Sequence, residues 1–234
     1  CIPGKRFGND YIRASLANKR SFCERWDAEC ILSQTKHETT NSSHSAEWEK
    51  LYLLNRTLYE TSAQWIMWLD CDAAFANLDI DWRVHMKDHL DDNNVLIVSK
   101  DKNGINLGVL FVPNNDDAKE FVRMMWDKRH WIEAHPNKRG LNDQAALKEI
   151  MAENPGLRRR VDDGVSQAKI NSFLGKVKVE KGRVNIPSGP VSKEREVSKK
   201  LPHSQNGRAS SNPKSARFSK EGAASSPVKI INTH

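Results

Sequence analysis

The apolar positions of this chain change their period along its length, and the changes mark its elements. Behind a capping Asn9 or Asp10, Ile12, Leu16 and Phe22 share one side of a helical wheel, which predicts a helix ending near Trp26; residues 28–32 then read as a short strand. A polar loop over 34–45 leads to a second helix on which Trp48, Leu51, Tyr52 and Leu58 lie near helical spacing. The segment Trp65-Ile66-Met67-Trp68-Leu69 is apolar at every position, the pattern of a central parallel strand covered by helices on both faces, and it stops at Asp70. Residues 94–99 and 105–112 read as two more strands around a Lys102-Asn103-Gly104 turn. Helices are expected from Asp116, with Ala118, Phe121, Val122 and Met125 on one face, and after Asn142, with Ala146, Leu147, Ile150 and Met151 inward. Helices alternating with buried strands predict an α/β fold with a mostly parallel central sheet flanked by helices, and no internal repeat competes with that reading.

Composition divides the chain. At 234 residues, 38% hydrophobic with seven Trp, a sizeable core is available and wholesale disorder is excluded. Apolar runs such as 65–69 fall far short of the roughly 20 residues that cross a bilayer. The net charge of +7 is unevenly placed: residues 1–164 carry 23 Lys and Arg against 26 Asp and Glu, whereas 165–234 carry 14 against 4. All the Trp lie in the first part, and five of nine Pro lie in the last 70 residues. Residues 1–175 are therefore expected to form the folded domain and 176–234 a basic, low-complexity, disordered tail. The chain opens on Cys1 rather than Met, which leaves room for a targeting segment ahead of it. Cys1, Cys23, Cys30 and Cys71 show neither a CxxC pair nor finger spacing, so no zinc site is expected and the redox compartment stays open. Asn41-Ser42-Ser43 and Asn55-Arg56-Thr57 match the N-glycosylation tripeptide, a pattern common by chance.

The candidate chemistry centres on Asp70-Cys71-Asp72. An Asp-x-Asp arises on the order of once by chance in a chain of this composition, and there are two. Asp79-Ile80-Asp81 has no apolar run before it and reads as a loop or helix start, whereas Asp70 and Asp72 follow a buried strand, where α/β sheets open a ligand crevice. Hard oxygen ligands there suit Mn²⁺ or Mg²⁺, which complete their shells with water and substrate phosphates, and such an ion would neutralise a departing diphosphate. The residues alone leave open a pair of solvated loop acids. Asn106 and Gly108 place an amide and a close-approach glycine at the start of a buried strand, suited to sugar hydroxyls or to an ordinary turn. Asn142, Asp143 and Gln144 sit on the first turn of a helix, whose exposed N–H groups favour anions, or where they simply cap it.

Taken in order, "NKRSFCERWDAE", "EWEKLYLL", "WIMWLDCDAAFANLD", "NLGVLFVPN" and "LNDQAAL" resemble the GT-A glycosyltransferases, most closely family 34, the fungal galactosyl- and mannosyltransferases and plant xyloglucan xylosyltransferases. The resemblance covers residues 9–175 and implies a GT-A-like nucleotide-diphospho-sugar transferase fold. It implies that Asp70 and Asp72 hold Mn²⁺ (or Mg²⁺) and the donor diphosphate, that Asn106 and Gly108 lie beside the donor sugar, and that Asp143 and Gln144 form the catalytic pair facing it. Asp143 is then electrostatic and positioning support in a retaining transfer. The implied partners are a UDP- or GDP-sugar donor and a glycan acceptor. The implied location is the Golgi or secretory-pathway lumen, with membrane attachment only through an anchor absent from this chain.

The chain also departs from the family pattern. Of the family's first strand only Cys1-Ile2-Pro3 could remain, and no Gly-Asp…His…Gly segment follows "QAKINSFLGK", so truncation at both ends is expected. His203 lacks the neighbours of a third metal ligand and is not assigned. Arg13 and Lys19, on the first helix, could meet a phosphate but are expected on a solvated face. Two other functions follow from these features. One is a degenerate homologue that binds nucleotide sugar or glycan without transfer. The other is polyanion binding by the basic tail, in which Phe173 and Phe218 make no base-stacking platform, so no nucleic-acid partner is expected.

Overall fold

The helices and strands read from the apolar pattern fall where that pattern places them, and further short elements join them. In the computed structural model, which describes residues 9–33, 46–131, 142–176, 178–180, 183–186 and 228–233, helix α1 spans Asn9–Trp26, strand β1 Glu29–Ser33, α2 Ala46–Glu60 and β2 Trp65–Leu69. There follow β3 (Ala73–Phe75), α3 (Trp82–Met86), β4 (Leu96–Asp101), β5 (Gly104–Pro113) and α4 (Asp116–Asp127). Then come α5 (Asp143–Glu153), α6 (Pro155–Arg158), β6 (Val161–Ser166), α7 (Gln167–Asn171) and β7 (Leu174–Lys176). Strands β8 (Lys178–Glu180), β9 (Arg183–Asn185) and β10 (Val228–Thr233) complete the described chain. Side-chain caps set several boundaries: Asn115 accepts from the Ala118 amide, Asn142 from the Ala145 amide and Asp81 from the Arg83 amide. The second Asp-x-Asp is thus a helix start, as its context predicts.

The main sheet has the order β1-β10-β2-β5-β4-β6. Pairings β1/β10, β10/β2 and β4/β6 are parallel, while β5 runs antiparallel to both neighbours. The reversal at β5 has a local cause: only two residues separate it from β4, too few for a parallel crossover, and Gly104 takes a φ of 109° that the tight turn requires. Both faces of the sheet are covered. Ile66 and Trp68 point toward Trp48, Leu51, Leu58, Phe121 and Leu147 on α2, α4 and α5. Trp65, Met67 and Leu69 point toward Phe22, Trp82, Met86 and Ile170 on α1, α3 and α7. A strand that alternates between two covered faces has no solvent side, which is why all five residues of β2 are apolar and buried.

The fold extends beyond the expected boundary at residue 175. Strand β10, drawn from the stretch assigned to the tail, lies between β1 and β2, with Ile230 opposite Cys30 on one side and Met67 on the other. Its apolar residues Val228, Ile230 and Ile231 are few and follow a long polar stretch, so no window of composition reveals them. The ladder supplies the reason for the placement: backbone groups of β1 and β2 facing each other across a gap must pair with something. Ile230 is fully buried there.

Cys23 and Cys30 form a disulfide that ties the end of α1 to β1. The Asn55 tripeptide lies inside α2, with the Asn55 amide oxygen and Thr57 both buried. Asn41, the 34–45 loop, Cys1, Gly140, Leu141, His203 and Phe218 lie outside the described residues.

Candidate active site

Strand β2 delivers Asp70 to the carboxyl edge of the sheet. The Asp70 amide donates to the Gly108 carbonyl (2.8 Å), and the Ala73 amide donates to the Asp70 carbonyl (3.1 Å), which closes a turn carrying both carboxylates into β3. Asp70 and Asp72 open on a cleft of about 190 Å³, with Asn106 and Gly108 on one side and Gln167 and Asn171 from α7 on the other. Four of the residues singled out from sequence are therefore brought together. Asn106 is held by two local bonds, its Oδ1 accepting from the Gly108 amide (2.8 Å) and its Nδ2 donating to Asp101 (3.1 Å). A Cβ at position 108 would stand 3.0 Å from Asn106 Oδ1 and 3.3 Å from Asp70 Oδ2, so glycine keeps open the space beside that carboxylate.

Beneath the cleft lie two buried lysines. Lys50 Nζ on α2 donates to the Leu107 carbonyl (2.7 Å) and to Asp143 Oδ2 (2.9 Å), and it lies 3.5 Å from Asp70 Oδ1. Asp70 Oδ1 also accepts from Trp68 Nε1 (2.7 Å). Burial disfavours the charge on Lys50, but Asp70 and Asp143 outweigh it and hold the ammonium above its ordinary range. Asp143, only 2% exposed, spends its other oxygen on the Gln144 amide (2.9 Å). Of the expected sugar-facing pair, Asp143 turns toward Lys50, and neither it nor the half-buried Gln144 is among the residues lining the Asp70–Asp72 cleft. Asp143 is joined to that cleft through Lys50.

The second lysine corrects an expectation. Lys19 is not on a solvated face; it is fully buried, and its Nζ donates to Ser15 Oγ (2.6 Å) and to the Ala73 carbonyl (2.7 Å). Ser15 Oγ in turn donates to the Cys71 carbonyl (2.7 Å), and Asn18 brackets Phe75 through both its backbone N–H and its carbonyl. Burial pushes the Lys19 pKa down to about 7, an effect that the charges of Asp70 and Asp72 partly offset. Arg13, by contrast, is exposed and paired with Asp10.

Lys50, Lys19, Ser15, Gln167 and Asn171 were not singled out for these roles by motif. A signal existed for the lysines. Lys50 stands three and four residues before buried Leu53 and Leu54, and Lys19 stands four after buried Ser15 and three before buried Phe22, so each is a cation on an inward stripe.

The donor set fits a hard divalent ion in part. Two carboxylates of one turn face a cleft that Gly108 leaves open, and Mg²⁺ or Mn²⁺ needs only one or two carboxylates besides water and phosphate oxygens. The disulfide-bonded Cys71 between them offers no thiolate, which leaves an all-oxygen set. Among the described residues no group of three or more His, Cys, Asp or Glu comes together.

The geometry has relatives. The model of the galactosyl transferase GMA12/MNN10 family matches residues 3–91 and 81–186. An α-1,2-galactosyltransferase of Schizosaccharomyces pombe is 24% identical over 212 residues, 74% of this chain and 55% of that protein. The probable α-1,6-mannosyltransferase MNN10 of Saccharomyces cerevisiae is 22% identical over 182 residues, 63% of this chain and 44% of that protein. The chain spans about half the length of these curated relatives. A solved glycosyltransferase involved in glycosylation of the major capsid of PBCV-1 shares the fold, with a TM-score of 0.55 and 20% identity over 68% of this chain and 78% of that one.

Proposed function

Since the chain belongs to the galactosyl transferase GMA12/MNN10 family, we propose that it is a glycosyltransferase domain that moves a sugar from a nucleoside diphosphate donor to a glycan hydroxyl, with Asp70 and Asp72 holding Mn²⁺ or Mg²⁺. The observation that carries this reading is the turn at the end of β2, where both carboxylates face a cleft walled by Asn106 and Gly108. A bound ion would supply Lewis-acid stabilisation of the departing diphosphate. The chain's own residues do the rest. Trp68 and Lys50 fix one face of Asp70, Gly108 keeps the approach open, and Gln167 and Asn171, tied to each other by the bond from Gln167 Nε2 to Asn171 Oδ1 (3.0 Å), line the cleft, with the Asn171 amide group as a donor for hydroxyl oxygens. Asp143, held against Lys50, supports the site electrostatically, in keeping with a retaining transfer that leans little on a general base.

The proposed location is the Golgi or secretory-pathway lumen. The Cys23–Cys30 disulfide is at home in an oxidising compartment, and the named relatives are fungal galactosyl- and mannosyltransferases. Among the described residues no helix is long and apolar enough to cross a membrane.

Calorimetric titration with UDP and GDP, with and without Mn²⁺, tests the reading. Metal-dependent binding of one nucleotide, lost in Asp72→Asn with the fold intact, is the expected result, and it identifies the base. Binding unchanged by that substitution removes the metal role from Asp72. Binding without any transfer to glycan acceptors would assign the chain to the donor-binding, non-transferring class instead.

A further inference from the structure

The two carboxylates of the turn carry like charge and have to be held together; besides the disulfide at Cys71, helix α1 restrains the turn from behind. Ser15, Asn18 and Lys19 lie within one and a half turns of that helix and reach four backbone groups between Cys71 and Phe75: Ser15 binds the Cys71 carbonyl (2.7 Å), Lys19 the Ala73 carbonyl (2.7 Å), and Asn18 the Phe75 N–H and carbonyl (2.7 and 2.9 Å). The Lys19–Ser15 bond (2.6 Å) joins two of these contacts into one unit. Neither Ser15 nor Lys19 lines the cleft, so neither meets a ligand there. Both are buried, at 1% and 0% exposure, and the charge of Lys19 acts on Asp70 and Asp72 alike. Helix α1 is itself pinned by the Cys23–Cys30 disulfide and by the stacking of Phe22 on Phe75, with ring centroids 3.5 Å apart.

We propose that Lys19, acting through Ser15 and the Cys71 and Ala73 carbonyls, is a positioning residue that sets the spacing of Asp70 and Asp72 and thereby the affinity of the turn for a divalent ion and its bridged diphosphate. The inference rests on the metal-dependent donor site proposed above. A backbone clamp suits this task because the disulfide holds the turn only at Cys71, and Asp70, Cys71 and Asp72 are all only partly buried, so the flanking carbonyls need their own partners. Fixing both carbonyls from behind keeps the carboxylates convergent without placing a cation in the cleft, where it would compete with the metal. Where it is protonated, the buried Lys19 amine also offsets part of the repulsion between them.

The test compares wild type, Lys19→Met, Ser15→Ala and Ser15→Thr for Mn²⁺ and Mn²⁺–nucleotide binding by electron paramagnetic resonance, with metal-free thermal melts as the check of fold. Loss of a group that orients metal ligands from behind typically costs about 10–100-fold in metal affinity, so Lys19→Met is expected to weaken Mn²⁺–nucleotide binding at least about tenfold and to broaden the spectrum of the ion that still binds. Ser15→Ala is expected to do so to a lesser degree, and Ser15→Thr, which keeps the hydroxyl, to restore binding. A role in holding the fold alone would shift the melts of Lys19→Met and Ser15→Ala and leave affinity and spectrum of the folded fraction unchanged; that outcome overturns the inference. If Lys19→Met does not fold, the Ser15 pair decides, with equal binding by Ser15→Ala and Ser15→Thr as the refuting result. A wild type that binds no Mn²⁺–nucleotide refutes the underlying donor-site reading, and this inference with it.

Discussion

Lys50 Nζ lies 2.9 Å from Asp143 Oδ2, a buried contact between residues 93 positions apart. It joins α2 to the first residue of α5, and the 3.5 Å approach of the same ammonium to Asp70 extends the connection to the turn that faces the cleft. Severing such a pair from one side leaves a buried carboxylate uncompensated, which costs about 3–5 kcal/mol. Lys50→Met is therefore expected to lower unfolding free energy in urea by an amount in that range. Lys50→Met combined with Asp143→Asn should lose less than the sum of the single changes, because the neutral amide no longer needs a cation. Strict additivity would show that the pair does not couple.

Gly108 is predicted to be intolerant of a single methyl group. The added Cβ would press on Asn106 Oδ1 at 3.0 Å and Asp70 Oδ2 at 3.3 Å. Overpacking of this kind costs about 1–3 kcal/mol, and here it falls on a carboxylate proposed as a metal ligand. Gly108→Ala is expected to weaken metal-dependent nucleotide binding by roughly tenfold or more with a smaller loss of stability, as read by calorimetry and urea melts on one preparation. Gly156 makes a suitable control, since nothing lies within 4 Å of a Cβ built there.

Lys19 makes stability depend on pH in a defined direction. Its folded pKa is pushed down to about 7, mainly by burial, while the unfolded chain titrates near 10.4. Between those values the unfolded chain holds a proton that the folded one does not, so unfolding takes up a proton and stability rises with pH. Below about 7 both states are protonated and the contribution is flat. The slope approaches about 1.4 kcal/mol per pH unit at most. Metal-free urea melts at pH 7, 8 and 9 should show this rise in wild type and its absence in Lys19→Met; parallel profiles would refute it.

Strand β10 gives a prediction about the tail. Ile230 is fully buried between β1 and β2, and an Ile→Ala change at such a site costs about 2–5 kcal/mol. Ile230→Ala should therefore lower the thermal midpoint markedly, whereas Val84→Ala, at a side chain 67% exposed on α3, should leave it nearly unchanged. Equal effects of the two would place residues 228–233 outside the cooperative fold.

Much of the architecture was legible from local pattern. Helical spacing located α1, α2, α4 and α5, the continuous apolar run located β2, and polarity located the end of β2 at Asp70. These signals are local because the period of a helix or strand is written into neighbouring residues. The contrast between the two Asp-x-Asp segments was legible for the same reason: one follows a buried strand and the other caps a five-residue helix. Asp143 was legible as a helix-start acid but not as the partner of Lys50, and Lys19 was read as solvated because charge outweighed its place on the inward stripe.

The amino-acid sequence by itself determined the alternation of helices and buried strands, the carboxylate turn at a strand end and the family to which the chain belongs. Tertiary structure decided which distant groups meet: that β10 enters the sheet between β1 and β2, that α1 grips the turn through the Cys71 and Ala73 carbonyls, and that Lys50 stands between Asp70 and Asp143. The physical reason is the same in each case. A buried backbone group or charge must find a partner, but which partner it finds depends on what packing brings within about 3 Å, and that is a property of the folded whole rather than of any segment.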